Sequence, residues 1–202
     1  MPNRERILDV ALKLFNDAGT GPISTNHIAA AAEISPGNLY YHFRNKEQIV
    51  QTLFERLFET YERVFVLPER GPPGLADLRH LVRLNFDLLW EYRFAYRELA
   101  ALLRRDEILR ERWLEVRRRG YVGFRYLIAA FVTAGVIAVP ADDAVIDRLA
   151  DLCWLISEFW LPNLEINGQP VDASQLDRGV ALMLQVLNPN IDPAQLPGKS
   201  PL

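Results

Sequence analysis

Residues 24–43 place hydroxyl, amide and aromatic side chains on two short helical patterns joined by a brief break. Ser24 or Thr25 can cap a first helix over residues 26–32, and Ser35 can cap a second, shorter one. Hydroxyls, amides and the free N–H groups at helix N-termini suit phosphate oxygens, and polar side chains can also read base edges. The segment therefore predicts a helix-turn-helix whose second helix enters the major groove of DNA.

The exposed residues of this segment, with one lysine beyond it, are the candidate DNA contacts. Gly37 has no side chain, so the backbone can approach DNA closely there, and Lys46 adds a positive charge at the start of a fourth helix. Asn38 and Tyr41 are the better candidates for base edges, because the major groove presents distinct donors and acceptors. The full candidate set is Thr25, Asn26, Ser35, Pro36, Gly37, Asn38, Tyr40, Tyr41, His42 and Lys46.

The charge of the chain does not by itself indicate a nucleic-acid partner. The 202 residues carry a formal net charge of −3. Residues 1–66 contain seven basic and eight acidic residues, so this part of the chain is slightly acidic. Because bulk electrostatics argue weakly against DNA binding, the prediction rests on the motif and its geometry.

Residues 4–55 resemble the N-terminal domain of the TetR family of regulators, in both residue types and spacing. The family pattern is Thr-x-x-Ile-Ala, a small-residue helix, a turn, and then Ser-x-Gly-x-Leu-Tyr-x-His-Phe-x-x-Lys-Glu. The matching residues are Thr25, Ile28, Ala29, Ser35, Gly37, Leu39, Tyr40, His42, Phe43, Lys46 and Glu47. The resemblance implies an all-α repressor that binds DNA as a dimer, with a larger C-terminal domain that dimerises and binds an inducer.

Two residues depart from the family pattern. Glu33 stands in the turn where relatives usually have glycine, and a left-handed backbone there would cost on the order of 1 kcal/mol. Asn26 stands where many relatives have a basic or longer polar residue, so one DNA contact is expected to differ.

The rest of the chain shows helical periodicity without strand-like alternation, which predicts an all-α fold. We expect a helix-turn-helix domain over residues 1–48, a connecting helix over about 46–66, a regulatory and dimerisation domain over 67–187 and an irregular tail over 188–202. Later helices are predicted over residues 75–92, 95–103, 106–137 (bent or broken near Gly120), 143–161 and 173–187.

Large aromatic residues are frequent after residue 85, where they can form either a core or the wall of a pocket. The resemblance places five of them on helices that line the ligand cavity of relatives: Trp90, Phe94, Tyr121, Phe124 and Trp154. We expect an apolar or aromatic ligand, such as an acyl chain. Arg93 or Arg97 could meet an acidic head group or pair with neighbouring glutamates.

The last two helices, about 143–161 and 173–187, carry broad apolar faces near the end of the chain. Pairing them with a second copy would form a four-helix interface, so they predict a homodimer. The arginine-rich stretch over residues 104–119 alternates with acidic residues and is typical of a salt-bridged solvated face, the alternative being a second nucleic-acid surface.

Other functional classes find little support in the residues. Two of the three histidines lie in the helix-turn-helix segment, and the single cysteine has no partner at metal-ligand spacing, so an enzyme, a metal site and a cofactor are not expected. The lone cysteine fits a cytoplasmic protein, and no apolar run is long enough for a membrane span. A ligand-independent DNA-binding protein with a filled C-terminal core remains the alternative.

Overall fold

The computed structural model describes residues 3–67 and 71–187, and within these ranges every regular element is a helix. The helices are α1 (Asn3–Ala18), α2 (Thr25–Ala31), α3 (Pro36–His42), α4 (Lys46–Val64), α5 (Leu75–Glu91), α6 (Arg93–Arg105), α7 (Glu107–Thr133), α8 (Asp143–Ile166) and α9 (Ala173–Leu187). The prediction of an all-α fold is confirmed. The tail predicted over residues 188–202 lies outside the described residues. No helix in the described part is long and apolar enough to cross a membrane.

Two helices continue where the sequence predicts an interruption or an end. α7 is unbroken at Gly120, where an added Cβ would lie 3.3 Å from Cη2 of Trp154, so the glycine allows this ring to approach the helix. α8 does not end at residue 161 but passes through Pro162 to Ile166. The proline removes one helical hydrogen bond, and the fully buried Leu164 holds the last turn in the core.

The described residues belong to two compact units. Among the described residues, the first unit contains 3–62 and 91–113, so it combines α1 to α3 and most of α4 with α6 and the first part of α7. The second unit contains residues 63–67, 71–90 and 114–187, with nearly all of α5, the remainder of α7, α8 and α9. The helix-turn-helix therefore shares a unit with residues 91–113, which lie far from it along the chain.

An aromatic cluster forms the core of the first unit. Phe94 of α6 lies between Phe15 of α1 and Phe54 of α4, with ring centroids 5.5 Å and 6.1 Å away. Trp113 extends the cluster, with its ring centroid 6.0 Å from that of Phe54. These contacts explain why α6 packs with the N-terminal helices, since burying large aromatic rings dominates core energetics.

Asn16 joins the end of α1 to the start of α6. Its Nδ2 donates to the carbonyl oxygen of Glu91 over 2.7 Å, and its Oδ1 accepts from the backbone N–H of Phe94 over 3.1 Å. The side chain is only 6% exposed, so both ends of its amide are satisfied inside the protein. The two helix ends are thus held together by hydrogen bonds as well as by the aromatic core.

In the second unit, α9 packs closely on α5 and α8. Gly179 of α9 faces the ring of Phe86 and the indole of Trp160, and a Cβ at this position would overlap both side chains. The indole Nε1 of Trp160 donates to the carbonyl oxygen of Gln175 over 3.1 Å. A small residue on α9 is therefore what allows the two aromatic side chains to fill this core.

Candidate DNA-binding surface

The start of α2 is fixed by a reciprocal capping interaction. The hydroxyl of Ser24 accepts from the backbone N–H of His27 over 3.2 Å, and Nδ1 of His27 accepts from the backbone N–H of Ser24 over 3.3 Å. Histidine here takes the place that Glu or Gln usually has in a capping box. Of the two caps that the sequence allows, the structure uses Ser24, which leaves the hydroxyl of Thr25 available for another contact.

The turn between α2 and α3 has a left-handed residue at the position where the family pattern usually has glycine. Glu33 has φ = +54° and follows the helix C-cap, Ala32. Its N–H donates to the carbonyl oxygen of Ala30 over 3.1 Å, and the N–H of Ile34 donates to that of Ala29 over 3.0 Å. This pattern is a Schellman motif, which usually has glycine at the left-handed position.

α3 presents one buried side and one exposed side. Ser35 caps the helix, because its hydroxyl accepts from the N–H of Asn38 over 3.2 Å. Leu39 is fully buried, whereas Tyr41 is 84% exposed and Tyr40 51% exposed. Among the other candidate contacts, Asn26, Ser35, Pro36 and Gly37 are exposed, and Thr25, Asn38, His42 and Lys46 are partly exposed.

A hydrogen bond joins the two helices at their exposed edge. The hydroxyl of Thr25 lies 3.0 Å from that of Tyr40. Both residues line a shallow groove of about 370 Å³, together with residues that come before α2 and after α3. Its lining consists of Gly21, Pro22, Ile23, Ser24, Thr25, Tyr40, Arg44, Asn45 and Lys46. The groove gathers hydroxyl, amide and cationic groups, which is the chemistry that binds phosphate.

Lys46 makes two hydrogen bonds within the protein. Its Nζ donates to the carbonyl oxygen of Thr20 over 2.7 Å and to that of Ile23 over 2.9 Å. Two of the three N–H donors of the ammonium are thus used to hold the loop between α1 and α2. A DNA contact by Lys46 remains a prediction, and only one donor is left for it.

Glu98 of α6 binds the same loop and was not singled out by the sequence patterns. Its Oε1 accepts from the backbone N–H of Thr20 over 2.8 Å, and its Oε2 accepts from the hydroxyl of that residue over 2.5 Å. Gly19, with φ = +78°, allows this approach, because a Cβ there would lie 2.5 Å from Oε1 of Glu98. Nothing in a helical pattern indicates that a glutamate 78 positions away completes the loop.

Several acidic residues of α1 and α4 pair with arginines of α4 and α7. Arg56 lies 2.9 Å from Asp9 and 3.8 Å from Glu5, and Arg112 lies 2.8 Å from Glu55. Between Glu33 and Glu47, by contrast, the chain carries two basic residues and no acidic one. The stretch from residue 34 to residue 46, which contains α3, is therefore not acidic, although residues 1–66 as a whole are.

The five aromatic residues predicted to line a pocket do not form a single cluster. Tyr121 and Phe124 lie beside Trp154 in the second unit, with ring centroids 5.5 Å and 5.9 Å away from its ring. Trp90 is partly exposed in the same unit. Phe94, however, is 1% exposed in the core of the first unit, because it directly follows the start of α6 that Asn16 holds against α1.

Charged residues surround Trp154. Its Nε1 donates to Oε1 of Glu158 over 2.7 Å, and the guanidinium of Arg117 lies over its ring and pairs with the same carboxylate. Burial lowers the pKa of Arg117. Burial and the hydrogen bond to Asp151 raise the pKa of Tyr121 to about 12, so this hydroxyl stays a donor at neutral pH.

Three arginines from the predicted head-group and salt-bridged sets have partners within the chain. Arg93 lies 3.0 Å from Asp17, and Arg97 donates to the carbonyl oxygen of Asn16 over 3.3 Å, so both contact α1. In the arginine-rich stretch, Arg110 pairs with Glu107, as expected of a salt-bridged face. Over the part of the chain that the structure describes, no group of three His, Cys, Asp or Glu residues could hold a metal ion.

Two sequence models of bacterial regulators match this chain. The one described as "Bacterial regulatory proteins, tetR family" matches residues 7–53, which include the helix-turn-helix. The one described as "Bacterial transcriptional repressor" matches residues 50–197, more than half of the chain. The chain belongs to the TetR family. The predicted resemblance is thereby confirmed, and the family is one of transcription regulators, not of enzymes.

Solved structures and a curated relative agree with this membership. A TetR-family transcriptional regulator from Marinobacter aquaeolei VT8 is 34% identical, with a TM-score of 0.84, and the match covers 96% of this chain and 93% of that one. A SmeT–triclosan complex shares the fold at 20% identity and a TM-score of 0.64, covering 100% and 99% of the two chains. The transcriptional repressor KstR2 of Mycolicibacterium smegmatis is 25% identical over 86% of this chain and 84% of its own.

The extent of the matches to curated proteins varies. The chain spans between 24% and 49% of the length of the first curated relatives that it matches, at 24% to 40% identity. Several of these alignments are therefore too short to carry over the activity of a whole relative.

Proposed function

We propose that this chain is a DNA-binding transcriptional repressor that binds a palindromic operator as a dimer. The observation that carries the proposal is α3, a capped helix whose exposed side presents Tyr41, Tyr40 and Gly37. Helix-turn-helix dimers place two such helices in successive major grooves, about 34 to 36 Å apart. Occupation of an operator by both helices would block transcription from the overlapping promoter.

The proposed contacts divide between base edges and phosphates. Tyr41 and Asn38 lie on the exposed side of α3 and can reach base edges, while Thr25, Tyr40 and the polar groups of the groove face the phosphate backbone. The hydrogen bond between Thr25 and Tyr40 fixes both hydroxyls before DNA arrives. Groups held in place before binding lose less side-chain entropy when the complex forms.

An apolar stripe on α8 supports a homodimer through α8 and α9. Leu155, Phe159 and Ile166 are 57%, 54% and 84% exposed and recur at helical spacing, and Leu182 of α9 is 44% exposed. Other apolar residues of α8, including Leu149 and Trp160, are buried within the chain and so belong to its own core. Covering the exposed stripe with its copy in a second chain would build a four-helix interface.

A small apolar or aromatic ligand is proposed to release the repressor from DNA. The cluster of Tyr121, Phe124 and Trp154 in the second unit offers aromatic walls, and Glu158 and Arg117 offer polar groups that could orient a ligand. A related fold has been solved with triclosan bound, which supports an apolar aromatic class. Since linkage is reciprocal, operator DNA should weaken the binding of such a ligand.

Footprinting on the DNA upstream of the chain's own gene tests the proposed DNA binding. We expect the wild-type chain to protect one palindromic region, and Tyr41→Ala to lose that protection while its melting temperature stays within a few degrees of the wild type. Tyr126→Ala is the matched control, because Tyr126 is 73% exposed on α7 and lies outside the proposed contacts. Full protection by Tyr41→Ala would contradict the assignment of contacts.

The second candidate function is ligand-independent DNA binding. It is favoured because Glu158 already accepts from Trp154 and pairs with Arg117 within the chain. A thermal-shift screen against apolar and aromatic metabolites separates the two, because a ligand that binds only the folded state raises its melting temperature. A stabilising compound that leaves operator affinity unchanged would exclude induction.

A further inference from the structure

Three basic side chains adjoin α3, and the structure distinguishes them by what they contact. Lys46 uses two of its donors on the carbonyl oxygens of Thr20 and Ile23. These two bonds hold the loop between α1 and α2 and leave one N–H donor of the ammonium for any other partner. Lysine is the obvious candidate for a phosphate contact from its sequence position, but here its charge already has an internal role.

Arg44 differs from Lys46 in its exposure to solvent. It lies two residues after the end of α3, is exposed, and lines the groove that also contains Thr25 and Tyr40. Across residues 3–67 and 71–187, its guanidinium forms no ion pair. Its backbone N–H donates to Oε1 of Gln48 over 2.7 Å, so the main chain is held while the side chain stays available.

Arg4 approaches α3 from the first turn of α1. Its guanidinium carbon lies 5.3 Å from the ring centroid of Phe43, the residue that directly follows α3. The neighbouring Asn3 donates to Oδ1 of Asn38 over 3.3 Å, so this turn of α1 lies against α3. The Arg4 side chain is 49% exposed, and its contact with Glu5 over 3.4 Å is a surface pair of little strength.

We propose that Arg4 and Arg44 are the cations that bind operator phosphates beside α3, and that Lys46 instead positions the loop between α1 and α2. The proposal rests on the DNA-binding function proposed above and names residues absent from the sequence-based set of contacts. A guanidinium suits this task because its planar fork donates two parallel hydrogen bonds to a phosphate. The first turn of α1 thereby becomes part of the DNA-binding surface.

The salt dependence of DNA binding tests this assignment. Each phosphate neutralised by a cationic side chain adds about 0.9 to the slope of log K against log salt. In a dimer each substitution removes two cations, so Arg4→Ala and Arg44→Ala should each make that slope shallower by about 1.8. A fourfold rise in salt concentration should then reduce the DNA affinity of the variant about 12-fold less than it reduces that of the wild type. The measurement uses fluorescence anisotropy of the full chain on a duplex selected from a random DNA pool.

Three further variants test whether the change in salt slope is specific to the charges of Arg4 and Arg44. Arg44→Lys keeps the charge and should keep the wild-type slope. Lys13→Ala removes an 80% exposed charge on α1 that pairs with Asp17, and should also leave the slope unchanged. Lys46→Ala should lower the melting temperature while the folded protein keeps the wild-type slope.

Two results would overturn the proposal. The first is a wild-type slope in both Arg4→Ala and Arg44→Ala, and the second is a slope that becomes shallower by about 1.8 in Lys46→Ala. A wild-type chain that binds no duplex at any salt concentration would refute the proposed function itself, and this outcome is distinct from both.

Discussion

Gly37 is a residue whose identity the protein's own packing does not explain. An added Cβ would meet nothing closer than the hydroxyl oxygen of Ser35 at 4.0 Å, and the backbone φ is not positive. Glycine is nevertheless less favourable than alanine in a helix, by up to about 1 kcal/mol. The absence of a side chain therefore fits a requirement from outside the protein, which is close approach by DNA.

We expect Gly37→Ala to change stability and DNA binding in opposite directions. The melting temperature should rise, because alanine favours the helix, while operator affinity should fall about tenfold, equivalent to about 1.4 kcal/mol. Gly123→Ala is the matched control, since Gly123 in α7 also has open space around it and should gain stability without losing affinity. Unchanged operator affinity in Gly37→Ala would exclude close approach at this residue.

At the residue scale, what the sequence can predict depends on whether the partner is local. The left-handed backbone at Glu33 and the caps of α2 and α3 follow from contacts within four residues, and the structure contains them. The bonds of Lys46 depend on where the loop carbonyls of residues 20 and 23 lie, which no local pattern specifies. The lysine could therefore be identified, but not its internal role.

At the element scale, periodicity predicts which face of a helix is buried but not which helix covers it. α6 is a clear apolar helix in the sequence, yet its packing with α1 and α4 becomes visible only through Phe94 and Asn16. Tertiary contacts also explain why α7 continues through Gly120 and why α8 continues through Pro162. In both helices, tertiary contacts outweigh a local preference for interruption.

Glu98 of α6 should stabilise the first unit through the loop that it binds. Glu98→Ala removes both acceptors from Thr20, which is 4% exposed, and we expect the free energy of unfolding to fall by about 2 kcal/mol. Chemical denaturation measures this change. Glu59→Ala removes an exposed carboxylate from α4 and should alter stability by less than about 0.5 kcal/mol. Equal effects of the two substitutions would contradict the role of Glu98.

At the scale of the whole molecule, dimerisation should depend on the exposed stripe of α8. Phe159→Glu places a charge on this stripe, so we expect a monomer in light scattering and a loss of operator affinity of about 100-fold, because two half-sites are no longer bound by one assembly. Ile108→Glu substitutes a 69% exposed residue of α7 and should remain a dimer. A Phe159→Glu chain that stays dimeric would place the interface elsewhere.

Whole-molecule composition gave the least information about function. A net charge of −3 and an acidic N-terminal segment argue against DNA, but Glu5, Asp9 and Glu55 pair with arginines, and no acidic residue lies between positions 34 and 46. The motif identified the family, and the position of each charge required the structure. The ligand depends on side chains from several helices, so no single segment encodes it.

Selection of bound duplexes from a random DNA pool by this chain tests the central claim most directly. We expect the selected sequences to converge on two inverted half-sites whose centres lie about one helical turn, 10 to 10.5 base pairs, or a multiple of it apart. A pool that shows no common sequence after repeated rounds, while the chain remains folded, would contradict the proposal that α3 recognises an operator.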